Sequence, residues 1–225
     1  MHNAKTYSAF LFDLNGTMID DMAFHIKAWH RIANEMGAGI SLERAKEECY
    51  GKNSDFIERV FPGRFSDEEK DRLGYQKEQG YQQEFYPHLK LIDGLHDFLI
   101  EAKGCNVKTA IGTAAIKSNV NFILDGLNLH HLIDAVVCAD DVTDSKPHPE
   151  TFLKCAEILR VAIRDCLVFE DTPKGVEAAE RAGADCLVIT TLHRPEEFAQ
   201  YKNIVGFVAD YNDDIVASLL CPEKV

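Results

Sequence analysis

The stretch SAFLFDLNGT, residues 8–17, decides how the rest of the chain is read. Its apolar run, AFLF, ends in Asp13; a Gly-Thr turn follows, and then two more acids, Asp20 and Asp21. A short unbroken apolar run bounded by a turn fits a strand buried on both faces, as parallel strands are. An aspartate at the end of such a strand, with Gly16 freeing the backbone beyond it, suits a nucleophile or a metal ligand. An Asp that merely caps a turn is as ordinary a reading. Two residues on, where a second acid would make a pair, stands Asn15.

Similar runs recur at VKTAIGT (107–113), DAVVCA (134–139), DCLVFED (165–171) and ADCLVIT (184–190). Helical patterns separate them, at about 93–103, 115–127, 149–160 and 173–182. Gly104 and Gly183 follow two of these stretches, as glycines just past helix ends do. Strand–helix alternation of this kind implies a doubly wound parallel sheet. Residues 18–86 break the rhythm with four helix-like segments and no β-run between them. The expected organisation is therefore α/β. A Rossmann-like doubly wound parallel sheet forms a core domain of residues 1–17 and 87–225, and residues 18–86 form an inserted all-helical cap domain.

The bulk numbers agree. A chain of 225 residues with 46% hydrophobic composition can build one large core, or a core plus a small insert. Lys and Arg total 24 against 37 Asp and Glu, a net charge of −13. Such a surface repels nucleic acid and anionic membranes, so neither is expected as a partner. The seven cysteines form no C-x-x-C pair, and several sit in apolar runs, where cysteine is a small core residue. A reducing, cytoplasmic setting is expected, and the polar start MHNAKTYS does not read as a signal peptide. No apolar run approaches the ~18 residues of a membrane span.

In open α/β sheets the ligand site lies outside the carboxyl ends of the strands. Strand 8–14 presents Asp13 there. Strand 107–113 ends in Thr113, a hydroxyl near a helix start that suits a phosphate or simply caps the helix. The loop after 134–139 carries Lys146 between Ser145 and Pro147, with Pro149 opening the next helix, so two prolines stiffen the loop and aim the lysine. Alone, that lysine would read as a solvated surface residue. The fourth strand ends in Glu170 and Asp171, adjacent acids that repel unless solvated or paired with a cation such as Mg²⁺, which takes oxygen ligands. Asp171 also suits a helix cap ahead of Pro173.

Each signal is weak by itself, but their order is not. An acid, a hydroxyl, a lysine and an acid pair at successive strand ends resemble the four motifs of the haloacid dehalogenase superfamily, over essentially the whole chain. FDLNGT is similar to motif one, Thr113 to motif two, Lys146 in SKPHPETF to motif three, and FEDTPKGVEAAERAGA to motif four. The insert matches the small cap of that superfamily. FHIKAWHRIANEMG is similar to the first cap helix of the β-phosphoglucomutase and sugar-phosphate phosphatase subgroup.

The resemblance implies Mg²⁺-assisted phosphoryl transfer through an aspartyl-phosphate on Asp13. Asp13, the backbone carbonyl of Asn15, Glu170 and Asp171 would form the metal site, and Thr113, Ala114 and Lys146 would hold phosphoryl oxygens. The family's usual residue at position 15 is an aspartate that protonates the leaving oxygen and activates the attacking one. An amide can do neither, and losing such help costs ~10²–10⁴-fold in rate, least for good leaving groups. In the cap, the resemblance implies substrate contacts for His25, Trp29, Lys52 and Lys77. His25 and Lys77 also read as residues on solvated helix faces, and Trp29 as cap core. Imidazole as a class carries protons near neutral pH, so His25 is the natural substitute for a missing acid–base group.

The expected function is a Mg²⁺-dependent phosphatase acting on a small phosphorylated metabolite, a sugar phosphate above all, as a monomer. The alternatives are a β-phosphoglucomutase, a phosphonatase-like hydrolase, and a binder that has lost turnover. The cap loop YGKNSD has no arginine where a mutase would grip a second phosphate, and FED at motif four disfavours the phosphonatase.

Overall fold

The run after Ser8 becomes β1 (Ala9–Phe12), and all four of its residues are buried. The computed structural model describes residues 5–220. Five more strands join β1: β2 (Lys108–Gly112), β3 (Ala135–Val137), β4 (Cys166–Glu170), β5 (Asp185–Ile189) and β6 (Ile204–Val208). They form one sheet in the order β3-β2-β1-β4-β5-β6, and every pair is parallel. The chain steps outward from β1 through β2 to β3, then returns to the other side of β1 for β4. That reversal opens a crevice at the carboxyl ends of β1 and β4, where such sheets bind ligands.

Side chains alternate across the sheet, as strand geometry requires. Phe10, Phe12, Leu167 and Phe169 face one side, against Leu95, Phe98, Val120 and Ile123 of α5 (Leu95–Gly104) and α6 (Lys117–Gly126). Ala9, Leu11, Cys166 and Val168 face the other, against α7 (Glu150–Leu159) and α8 (Pro173–Ala182). Phe12 stacks on Phe169 with ring centroids 4.6 Å apart, directly below the crevice. Truncating a buried phenylalanine to alanine costs about 3–5 kcal/mol, so this pair fixes the floor of the site. Cys138, Cys155, Cys166 and Cys186 are buried as small core residues, while Cys221 lies outside the described residues.

Between β1 and α5 run four α-helices: α1 (Met22–Glu35), α2 (Leu42–Glu48), α3 (Asn53–Val60) and α4 (Asp67–Phe85). Ser41 caps α2, and Ser66 caps α4 in a reciprocal pair with Glu69. These helices enclose their own apolar cluster, in which Trp29 stacks on Phe56 at 4.2 Å, with Ala33, Ile57 and Phe61 around them. Tyr81 and Phe85 of α4 instead join the cluster that covers the sheet.

Two details differ from the sequence reading. β6 was not expected: it is a half-exposed edge strand interrupted by Gly206, with a register shift against β5, so neither alternation nor a continuous apolar run marks it. Gly104 is the last residue of α5, and Asn106, at φ 59°, takes the left-handed conformation instead. Gly183 does cap α8 in that conformation. Among the described residues, no helix is long and apolar enough to cross a membrane.

Candidate active site

Asp13 is the first residue past β1, and its N–H donates to Phe169 O on the neighbouring strand at 2.9 Å. The adjacent carboxyl ends of β1 and β4 thus bring Asp13 and Glu170 together. Lys146 reaches in from the loop after β3, with Nζ 2.6 Å from Asp13 Oδ1 and 2.7 Å from Glu170 Oε1. Burial alone would lower the lysine pKa, but the Asp13 and Glu170 carboxylates overcome it and hold the ammonium well above its ordinary range. Burial raises Asp13 to about 7, with Lys146 opposing and Glu170 adding to the rise.

Both oxygens of Glu170 are occupied. Oε2 accepts from the N–H groups of Asp171 and Thr172 and from the Thr172 hydroxyl, at 2.9–3.0 Å. Thr172, rather than Asp171, caps α8 by accepting from Gly175 N–H at 3.1 Å. A Cβ on Gly175 would fall 1.7 Å from Glu170 Oε1, so only glycine lets the helix start this close to the carboxylate.

Asp171 lies fully buried beneath the turn after β1. The Thr17 hydroxyl donates to its Oδ1 at 3.3 Å, while Oδ2 has no hydrogen-bond partner among the described residues. Burial, then Glu170 and Asp13, push its pKa well above the usual carboxylate range. A Cβ on Gly16 would fall 2.1 Å from Asp171 Oδ2, and Gly16 has φ 75°, so both space and backbone conformation require glycine there. The backbone carbonyl of Asn15 accepts no hydrogen bond from the described residues. The buried carboxylates of Asp13 and Asp171, one with an orphaned oxygen, and a free backbone carbonyl make a donor set that fits a hard cation with oxygen ligands. Asp13, Asp171 and the Asn15 carbonyl could hold it, and Glu170 would then act from behind them. A separate convergence of Asp144, His148 and Glu150 lies near the surface, where Glu150 is engaged by Lys154 and the N–H groups of Thr143 and Asp144.

The strand ends face a cavity of about 100 Å³ beneath the four inserted helices. Every residue singled out from the sequence lines it except Asp171: Asp13, Asn15, His25, Trp29, Lys52, Lys77, Thr113, Ala114, Lys146 and Glu170. The Thr113 hydroxyl accepts from Ala115 N–H at 3.1 Å. Lys52 donates from the loop before α3 to Val142 O at 2.6 Å, tying the inserted helices to the loop after β3. His25 and Lys77 are buried rather than solvated. Lys77 Nζ lies 2.5 Å from His25 Nδ1 and 2.9 Å from Glu78 Oε1, over the Trp29 ring at 5.3 Å.

Sequence reasoning missed the partners of this network. Asn15 Nδ2 donates to Asp21 Oδ2 at 2.6 Å and lies 3.1 Å from His25 Nε2. Tyr81 donates its hydroxyl to the same Asp21 oxygen, and His25 stacks on the Tyr81 ring at 3.8 Å. Glu78 receives Asn119 Nδ2 at 2.7 Å and Asn53 Nδ2 at 2.8 Å. The only hint was spacing: Asp21 and His25 lie four apart, on one face of a helix start.

Residues 10–189 match the haloacid dehalogenase-like hydrolase family. The fructose-1-phosphate phosphatase YqaB of Escherichia coli is 28% identical over 191 residues, covering 84% of this chain and 99% of its own. The β-phosphoglucomutase of Bacillus subtilis is 30% identical over 192 residues, covering 78% and 80%. The crystal structure of a family IA, variant 3 hydrolase from Entamoeba histolytica superposes with a TM-score of 0.84 at 29% identity, covering 94% of this chain and 98% of the other. The chain belongs to the haloacid dehalogenase-like hydrolases and is related within them to β-phosphoglucomutase and the sugar-phosphate phosphatases.

Proposed function

We propose that the chain is a Mg²⁺-dependent phosphatase of small phosphorylated carbohydrates that works through an aspartyl-phosphate on Asp13. The observation that carries this reading is Lys146 clamped between Asp13 and Glu170 on the cavity wall, beside the orphaned oxygen of Asp171. Asp13 Oδ1 is held by the lysine, while Oδ2 takes no hydrogen bond from the described residues. Oδ2 would attack phosphorus, forming one P–O bond as the bond to the leaving oxygen breaks. Water would then attack the same phosphorus and return the carboxylate. Lys146, the Thr113 hydroxyl and the backbone beside Ala114 would hold the remaining phosphoryl oxygens. Mg²⁺, when bound by Asp13, Asp171 and the Asn15 carbonyl, would offset the repulsion between carboxylate and phosphate dianion.

Residues 18–86 would act as the cap that closes over this site and excludes water. The tie from Lys52 to Val142 O, between the inserted helices and the loop after β3, supports reading the structure as the closed form. Carbohydrate phosphates are favoured because the related fructose-1-phosphate phosphatase, and a phosphatase of phosphorylated carbohydrates from Thermotoga maritima, match over most of the chain. The engagement of Lys52 with backbone carbonyls supports a latch rather than a free amine for imine chemistry. The test is phosphate release from a panel of sugar phosphates, with and without Mg²⁺, by this chain and by Asp13→Asn. Release that survives either Mg²⁺ removal or Asp13→Asn would sink the reading.

A further inference from the structure

Asn15 is held by a residue the proposed mechanism does not use. Asp21 is fully buried and does not line the cavity, yet its carboxylate collects every donor around it. Oδ2 accepts from Asn15 Nδ2 at 2.6 Å and from the Tyr81 hydroxyl, and lies 3.2 Å from His25 Nε2. Oδ1 accepts from Gly16 N–H at 3.3 Å. His25 Nδ1 faces Lys77 Nζ at 2.5 Å, and Nε2 faces both Asp21 Oδ2 at 3.2 Å and Asn15 Nδ2 at 3.1 Å, so imidazole and amide converge on the same Asp21 oxygen.

This arrangement also fixes which way the Asn15 amide faces. A flipped amide would set its carbonyl oxygen 2.6 Å from a carboxylate oxygen, acceptor against acceptor, which the network forbids. With Nδ2 committed to Asp21, Asn15 Oδ1 takes no donor from the described residues and is not among the buried unpartnered atoms. Asn15 lines the cavity, so this oxygen opens onto it.

We propose that Asp21 is the positioning residue of this site: it holds Asn15 so that the amide shows the cavity a pure hydrogen-bond acceptor, and positions 15 and 21 form one unit. This rests on the phosphatase reading above. Oδ1 then recognises an oxygen that brings its own hydrogen, either water or a substrate hydroxyl beside the phosphoryl group. It orients that oxygen and gives nothing to a bridging ester oxygen. The structure also explains why an aspartate at position 15 would not by itself improve the site. It would set a second carboxylate 2.6 Å from the first, in a buried place.

A double-mutant cycle tests this. Asn15→Asp, Asp21→Asn and the swapped pair Asn15→Asp/Asp21→Asn are compared for turnover of a phosphate ester, vanadate binding with Mg²⁺, and melting temperature. Asp21→Asn should lower kcat ~10-fold or more and leave KM within ~3-fold. Asn15→Asp alone should lower both kcat and melting temperature. The swapped pair restores one carboxylate facing one amide, and should recover kcat ~10-fold above the product of the single effects. Asp21→Ser, which keeps an acceptor for the amide, replaces Asp21→Asn if that variant does not fold. Additive effects, or a gain from Asn15→Asp with Asp21 intact, overturn the proposal. Coupling in melting temperature without phosphate release from any substrate would keep the pairing and overturn the phosphatase reading. Turnover with additive effects would do the reverse.

Discussion

The ammonium of Lys146 lies 2.6 Å from Asp13 Oδ1, although 133 residues separate the two in sequence. Both are buried, and Glu170 completes the triad at 2.7 Å. Removing one partner of a buried pair typically costs 3–5 kcal/mol, because the other charge is stranded. Lys146→Ala should therefore lower stability by about 3 kcal/mol and weaken vanadate binding at least 10²-fold. Melting curves and calorimetric titration check the two effects. Unchanged vanadate affinity would remove Lys146 from the site.

Asp171 yields a prediction whose sign reverses with metal. Its carboxylate is crowded by Glu170 and Asp13, and one oxygen is unpartnered. Without divalent cations, Asp171→Asn should melt at the same temperature as the parent or higher. With Mg²⁺ the parent should gain several degrees and the variant none. A variant that still gains as much as the parent would show that the cation binds elsewhere.

Lys52 joins the inserted helices to the core through Val142 O. A hydrogen bond from a charged donor is worth about 1.5–3 kcal/mol, and less when half exposed. Lys52→Ala should favour the open form, raising KM roughly 5-fold with a smaller effect on kcat. Amide exchange in residues 50–56 should speed up. Unaltered exchange with unaltered KM would mean that the contact is incidental.

Glu78 makes the acid limb of stability predictable. Burial would raise its pKa, but Lys77, His25 and the Asn119 hydrogen bond hold it down at about 2. A carboxylate depressed in the folded state contributes stability above its ordinary value of 4.5 and loses it as pH falls toward about 2. That contribution is about 3 kcal/mol. Melting temperature followed from pH 5 to pH 2 should fall more steeply for the parent than for Glu78→Gln. Parallel curves would contradict the assignment.

Asn15 cannot donate a proton to a departing alkoxide. Turnover should therefore rise steeply as the leaving group becomes more acidic, with aryl phosphates outpacing alkyl phosphates by ~10²-fold or more. A flat dependence on leaving-group pKa across a matched ester series would show that another group supplies the proton.

Residue order is enough to read the α/β class, five of the six described strands, the four helices after β1 and the polar residues at the strand ends. These are local matters: apolar runs, glycine turns and helical periodicity follow from short-range sterics and burial, and they read directly from residue order. β6 escaped because an edge strand half in water needs no continuous apolar run. Which charges meet depends on how the elements pack. In the sequence Asp21 is one of two acids after the Gly-Thr turn, with no partner in view, and Lys77 also reads as a residue on a solvated helix face. Both are buried because α1 and α4 pack together over the strand ends. A buried charge must find partners or neutralise, and its partners here come from different elements: Asn15 and Tyr81 for Asp21, His25 and Glu78 for Lys77. Glu170, which the resemblance grouped with the metal ligands, also meets long-range partners: its oxygens face Lys146 and the start of α8. Residue order names the chemically able groups, but the distances that give each one its task are set by long-range packing, which no local pattern encodes.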